Sequence, residues 1–320
     1  MAASAERITA RSFPTPNVVK VTNNPAAWDQ VGGFAAVQAA EANAALAVLD
    51  ARLAEATSPQ ERVAAFETAF QHVTEWRHQV AMQGQWTRPG ADAEDVRTPI
   101  ESSMMYRLSP HVGGREVGSP AHRMLTELEQ TALDRFGESG DELQNQVRLR
   151  DGRTVNGNLL RRNQFGGSEV LTVTAAKEDR EVLRRAAFEA LGELETQRAA
   201  GATPDPQDPG QRQAFIDAAY CLVQGPEMKR GSDAIMRTFL VAAHTRVFDA
   251  APVLPQGIDL DGMVRGQDGF TKVMQTELQT LPRSQAPAPG RTRDGISAGL
   301  DDGAQERRTG AAHRSGGLTR

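Results

Sequence analysis

Apolar positions recur at helical spacing over most of the chain and alternate over only one short region. Val37, Leu46, Leu49 and Leu53 share one side of a predicted helix over residues 33–56. Ser58-Pro59-Gln60-Glu61 then forms a capping box with proline at the first helical position. The helix it opens carries Val63, Phe66, Phe70, Val73, Arg77 and Val80 at helical spacing. Within it, Thr74-Glu75-Trp76-Arg77 reads as a buried tryptophan with a local Glu/Arg pair. Thr98-Pro99-Ile100-Glu101 has the pattern of a second capping box, with Thr98 as N-cap and Met104, Met105 and Leu108 as core residues beyond it. Ser119-Pro120 opens a further helix that stops at Gly137.

The period then changes. Val147 and Leu149 alternate with arginines, meet a type I′ turn signal at Asp151-Gly152, and continue through Thr154 and Val155. Asn156-Gly157 is a second turn signal, and residues 170–173 form a third candidate strand. Helical periodicity resumes over 175–198, pauses in the Pro/Asp/Gly-rich stretch 201–210, and returns over 214–223. A helix from Ser232 to Phe248 follows; Ile235, Phe239, Ala242 and Val247 anchor it in a core. Asp259-Leu260-Asp261 caps a further turn, and residues 267–281 close the fold. The predicted class is mainly α with a small antiparallel β insert, that is, α+β.

Composition trims this picture at both ends. Residues 1–24 are rich in Ser, Thr, Pro and Asn, residues 282–320 in Pro, Gly, Arg and Ser, and both stretches are predicted to be disordered. A net charge of −5 argues against broad nucleic-acid binding. The one cysteine, Cys221, has no internal disulfide partner, which fits a reducing compartment. No apolar run is long enough to cross a bilayer, no Sec-type leader is expected, and Ala2 stands where N-myristoylation needs glycine. Phosphate-binding P-loop, dinucleotide, kinase, zinc-protease and nucleophile-elbow motifs are absent, and the six histidines show no ligand pairing. Neither a metal nor a tightly bound cofactor is expected.

The richest polar stretch is Lys229-Arg230-Gly231-Ser232-Asp233. Ser232 suits an N-cap, Asp233 suits the positive helix end, and Lys229 and Arg230 stand beside the first-turn N–H groups. Arg230, Asp233 and Arg237 share one face at i, i+3 and i+7. Two readings stand side by side: a capped core helix with a solvated charged edge, and a phosphate site. Adding Thr98 and Asp259 gives a hydroxyl, cations and a carboxylate, a set suited to transfer chemistry on a phosphate-containing donor.

With these residues in view, the chain resembles the AvrB/AvrC family of bacterial type III effectors, the avirulence proteins of plant pathogens. The resemblance is carried by Thr74-Glu75-Trp76-Arg77, Gln83-Gly84, Thr98-Pro99, Asn156-Gly157-Asn158, Lys229-Arg230-Gly231-Ser232, Leu254-Pro255, Ile258-Asp259, Met263 and Asp268-Gly269-Phe270. It implies a two-lobe domain over 25–281. A helical lobe similar to the Fic/Doc (Fido) fold would comprise 25–137 and 175–281, with a β-containing lobe over about 138–174. Residues 1–24 would be a secretion leader, delivered through a type III system and served by a secretion chaperone, and the protein would act in the host cytoplasm. The implied activity is transfer of rhamnose from a dTDP- or UDP-linked donor, a co-substrate, to Ser/Thr of a plant immune regulator. Carried over, Arg230 would hold the diphosphate, and Lys229, Ser232 and Arg237 of the same stretch are, on the residue reading above, the further candidates for binding it. Thr98 would bond the donor, and Asp259, or Asp261 in the alternative register, would orient it or act as base. The His-Pro-Phe signature of Fic enzymes is missing, so AMP transfer is the less expected chemistry. A non-catalytic protein that binds host regulators is the other alternative.

Overall fold

The computed structural model describes residues 7–13, 25–83, 92–103, 105–106, 118, 120–137, 140–163 and 170–281. The elements run α1 (Pro25–Glu55), α2 (Pro59–Met82), β1 (Met105–Tyr106), α3 (Pro120–Phe136), β2 (Glu142–Arg148), β3 (Thr154–Arg162) and β4 (Val170–Val173). They continue with α4 (Lys177–Ala199), α5 (Pro209–Gln224), α6 (Ser232–Phe248), β5 (Pro252–Val253), α7 (Ile258–Glu277) and β6 (Gln279–Thr280). The protein is mainly helical with a small antiparallel sheet, an α+β arrangement. Strand order in that sheet is β1-β4-β3-β2, and β5 pairs separately with β6.

Local signals explain several boundaries. Ser58 Oγ accepts from the Glu61 N–H at 3.2 Å while Glu61 Oε2 accepts from the Ser58 N–H at 2.9 Å, so the capping box that starts α2 is complete. Gly137, at φ 67°, ends α3. Asp208 caps α5 by accepting the Gln211 N–H at 2.8 Å, with Pro209 at the first helical position, so that helix begins earlier than its apolar run suggests.

Two apolar cores result. The larger joins α1, α2, α4, α5, α6 and one face of α7 (Ile258, Met263, Phe270 and Met274), with Phe70, Phe188 and Phe239 meeting at ring-centroid distances of 5.3 to 6.0 Å. The smaller packs Leu125, Leu128, Ala132 and Phe136 of α3 against Leu160, Val170, Leu260 and Val264. α3 therefore packs on the sheet and on the Leu260/Val264 face of α7.

Four sequence expectations are corrected here. The β2–β3 loop is not type I′, which needs positive φ at both central residues; only Gly152 has it (φ 89°). Gly152 N–H donates to Leu149 O and Leu149 N–H to Arg153 O, closing a three-residue loop. Asn156-Gly157 is not a turn but lies inside β3, at a bulge where the register against β2 slips between Gln144 and Gln146. Thr98-Pro99-Ile100-Glu101 starts no helix, for reasons given below. Residues 7–13, expected in a disordered leader, form a 3₁₀ turn (Ala10–Ser12) and bury Ile8 and Phe13 in the large core. Leader residues 1–6 and 14–24, the tail 282–320, Met104 and Leu108 lie outside the described residues.

A buried polar lattice joins the sheet to α7. Gly266 (φ 70°, ψ 178°) breaks that helix, and the carbonyls before the break take donors from elsewhere. Gln224 Nε2 donates to Gly262 O at 2.8 Å, Asn145 Nδ2 to Met263 O at 2.8 Å, and Arg135 Nη1 to Val264 O. Asn158 ties in through Asn145 Nδ2 on its Oδ1, its own Nδ2 on Thr172 Oγ1, and its backbone N–H on Gln224 Oε1.

His244 is a second buried polar group, enclosed by Phe215 and Phe248, with Nδ1 2.8 Å from Ala250 O. Burial pushes its pKa from 6.5 down to about 4. The unfolded chain takes up this proton below pH 6.5 and the folded chain does not, so His244 removes stability as pH falls from 6.5 toward 4. From 1.36 kcal/mol per pKa unit the loss is about 3 kcal/mol. Glu41, raised to about 7 by burial, acts in the opposite direction, since protonation stabilises its buried state as pH falls from 7 toward 4.5. The expected result is that His244→Phe, compared with the parent by urea unfolding, loses less stability between pH 6.5 and 4; parallel curves would refute the assignment.

Candidate functional site

The site is assembled from two segments far apart in sequence. Asp92 Oδ1 accepts the Glu94 N–H at 3.0 Å and starts the 3₁₀ turn Ala93–Val96. Thr98 closes this turn: its N–H and its hydroxyl both donate to Glu94 O, at 2.8 and 2.6 Å. The chain then extends, with Pro99 bridging antiparallel to Met228. Ile100 N–H donates to Glu227 O at 2.9 Å, Lys229 N–H to Thr98 O at 3.0 Å and Arg230 N–H to Asp95 O at 3.1 Å. Thr98, Lys229 and Arg230 are thereby brought together at the start of α6. Pairing with residues 227–230 takes up the backbone groups that a helix from Thr98 would need, which is why the capping-box pattern there is not realised.

Gly231, not Ser232, is the N-cap of α6. It sits at φ 80°, a conformation costly for other residues, and Ile235 N–H donates to its carbonyl at 3.0 Å. Space there is tight as well, since a Cβ would lie 3.1 Å from Arg77 Cγ and 3.2 Å from Val96 Cγ1. Ser232 Oγ donates back to Met228 O at 3.3 Å, so no side chain caps the first turn of α6. Its amide dipoles and the exposed Lys229 and Arg230 give this end positive potential. Arg230 Nε donates to Asp95 Oδ2 at 2.9 Å, and the guanidinium is about half exposed (48 %).

Arg237 does not stand on a solvated edge. It is 3 % exposed, with Nη1 donating to Pro255 O at 3.0 Å and Nη2 3.3 Å from Asp233 Oδ1. It fastens α6 to the lead-in of α7 and is not at hand for a ligand. Asp259 is half-buried in the first turn of α7, whose N-cap is Gly257, so Asp259 is not the cap that its position suggests. Asp261 is buried and bound by Arg265 Nε at 2.6 Å, and Arg265 also holds Glu127 at 2.7 Å. Desolvation raises the Asp261 carboxyl above its usual range against the pull of Arg265. Of the two carboxylates, Asp261 belongs to the framework.

Two residues beside this site, Arg77 and Asp95, are not among the site residues expected from the sequence. Arg77 is buried below Gly231 beside Val96, and desolvation disfavours its charge. Its signal was visible as a cation on the apolar face of α2 between Val73 and Val80. Its neighbour Trp76 is only partly buried and stacks on Phe34, with centroids 6.4 Å apart. His78, also buried, places Nε2 3.2 Å from Glu94 Oε1 and so ties α2 to the turn that Thr98 closes. Asp95 carried no local signal, because its partner is 135 residues away.

Among the described residues no group of three or more His, Cys, Asp or Glu could hold a metal ion. No helix there is long and apolar enough to cross a membrane. An open depression of about 690 Å³, lined by Gln207, Arg212, Gln275 and Thr280 among others, contains none of the site residues. Its Arg212 Nη2 donates to the carbonyls of Met274 and Gln275 in α7 and of Leu278 just after it. No known family model matches the chain, and no curated protein matches it.

Proposed function

We propose that the protein is a type III effector of the AvrB/AvrC kind, secreted into the plant cell, that transfers a rhamnose-like sugar from a nucleotide sugar to Ser/Thr of a host immune regulator. The observation that carries the proposal is the meeting of Thr98, Lys229 and Arg230 at the side-chain-uncapped start of α6. These belong to the stretches on which the family resemblance rests. On this reading the large helical core is the Fido-like lobe and the sheet forms the smaller one. The donor diphosphate lies on the first-turn amides of α6 and on Arg230, which exchanges Asp95 for phosphate. The acceptor hydroxyl oxygen attacks the anomeric carbon as the bond to the diphosphate breaks. The hydroxyl proton passes to Asp259, and the leaving nucleoside diphosphate keeps the bonding electrons, its charge met by Arg230 and the helix end. Thr98, whose hydroxyl already donates to Glu94 O, accepts a hydrogen bond from the donor.

One observation favours a second reading, a non-catalytic binder of host regulators: Arg230 and Thr98 already have internal partners, Asp95 and Glu94. One experiment separates the readings. The parent and Arg230→Ala are expressed in plant cells, and immune-regulator peptides are compared by mass spectrometry. Arg230 is exposed and its loss leaves the core intact, so folding is unaffected. A deoxyhexose mass with the parent, reduced about 100-fold in the variant, is the expected result. An AMP mass would replace sugar transfer by nucleotidyl transfer. No modification, with an unchanged host response to the variant, would leave the binder.

A further inference from the structure

Residues 7–13, Arg-Ile-Thr-Ala-Arg-Ser-Phe, lie against the large core as a peptide lies in a receptor. Three kinds of contact hold them. The Asn43 side-chain amide grips the Ile8 backbone in both directions: Oδ1 accepts the Ile8 N–H at 3.1 Å and Nδ2 donates to Ile8 O at 2.8 Å. This copies the exchange between paired strands, so the contact reads backbone and holds register. Ile8 and Phe13 are 0 % and 1 % exposed and belong to the large core cluster, with the 3₁₀ turn between them packed on α1 and β5. Arg7 Nη2 donates to Thr245 O at 3.0 Å and to Asp249 Oδ1 at 2.6 Å, with Nη1 3.7 Å from Asp50 Oδ2. Thr9, Ala10 and Arg11 face outward.

The segment's described contacts go to α1, to the last turn of α6 and the residue after it, and to β5, while eleven residues, 14–24, join it to α1. α1 carries Ala35, Ala39, Ala42 and Ala45 in the same buried cluster, small side chains that let another chain approach closely. Asn43, Asp50 and Asp249 are the polar groups that meet the segment; Asp50 also pairs with Arg246 Nε at 3.3 Å, and Asn43 Nδ2 also donates to Ala39 O at 2.9 Å.

We infer that this surface is a peptide-recognition groove. Its ligand class is an arginine followed by a β-branched aliphatic residue and, five positions later, an aromatic one, and residues 7–13 are its resident, tethered ligand. Asn43 supplies the backbone clamp, the Ile8 and Phe13 pockets supply the anchors, and Asp249 with Asp50 reads the arginine. The tether gives the resident segment a high effective concentration, so the groove is closed to other peptides until the segment is released. This inference is independent of the proposed sugar transfer.

The test uses the full chain with Ile8→Asp and Phe13→Asp together, which frees the groove, and a fluorescein-labelled peptide of residues 7–13. Fluorescence anisotropy is expected to show saturable binding to this variant, at least about tenfold weaker binding to the parent, whose groove is filled, and loss of binding when Asn43→Ala is added. Equal uptake by variant and parent, or binding indifferent to Asn43, would overturn the inference. Should the double variant fail to fold, a protease site placed between residues 16 and 17 of the parent gives the same answer. After cleavage the released segment is expected to exchange with labelled peptide and to be displaced by excess unlabelled peptide. Absence of exchange, or exchange equally well with a peptide carrying Asp at both anchor positions, would refute it.

Discussion

Gly157→Val is expected to lower the stability of the fold by about 3–5 kcal/mol, combining overpacking with the loss of buried hydrogen bonds. Gly157 sits in β3 where the bulge brings the strand against α5. A Cβ built there would lie 2.2 Å from Gln224 Oε1, 3.0 Å from Gln224 Cδ and 3.3 Å from Val147 Cγ2. Gln224 is fully buried and is held at both ends of its amide, by the Asn158 N–H at 2.7 Å and by Gly262 O at 2.8 Å. It cannot retreat without leaving two buried polar groups unsatisfied. Urea unfolding of Gly157→Ala, Gln224→Ala and the double variant isolates the effect. With the Gln224 side chain already gone, the added methyl has room, so the two changes together cost less than their sum by about 1–3 kcal/mol. Simple additivity would mean that Gln224 is not what excludes a side chain from position 157.

Such positions show why some of the fold was legible in the sequence and some was not. The start of α2 was legible because all four participants of its cap lie within Ser58-Pro59-Gln60-Glu61, and Gly137 because the end of α3 is decided locally. Thr98-Pro99-Ile100-Glu101 carries the same kind of signal as Ser58, yet residues 227–230 claim its backbone groups, and distant pairing overrides the local preference. Asn156-Gly157 reads as a turn by composition, whereas the glycine is there for Gln224, 67 positions on in the sequence. Residues 7–13 look like an unstructured leader on average composition, yet two of them, Ile8 and Phe13, are buried in the large core.

The candidate site divides in the same way. Lys229-Arg230-Gly231-Ser232 marked where α6 begins, because a glycine and a capping-type serine directly before an apolar run signal a helix start. What the spacing could not give was the direction in which each arginine points. Arg230 and Arg237 look equivalent at i and i+7, but the second is inside. The partner that draws it there, the carbonyl of Pro255, carries no sequence signature at all.

This divergence yields the second large prediction, that the two arginines fail in opposite ways. Arg237→Met is expected to cost about 3–5 kcal/mol of stability. It leaves Asp233, whose side chain is only 19 % exposed, without its ion partner and the Pro255 carbonyl without its donor, inside a boundary that packs α6 on the approach to α7. Arg230→Ala removes only a half-exposed pair with Asp95, a kind of contact worth about 0–1 kcal/mol. Thermal and urea unfolding of both variants read this difference directly. Titration with a nucleotide sugar then asks a separate question. Under the proposed function Arg230→Ala loses donor binding while folding like the parent. Arg237→Met, measured where it is still folded, retains donor binding to the extent that the α6 start keeps its shape. An Arg237→Met protein as stable as the parent would show that the ion pair and the Pro255 contact do not hold α6 and α7 together. Loss of donor binding in a fully folded Arg237→Met would return this arginine to the ligand, as its spacing from Arg230 first suggested.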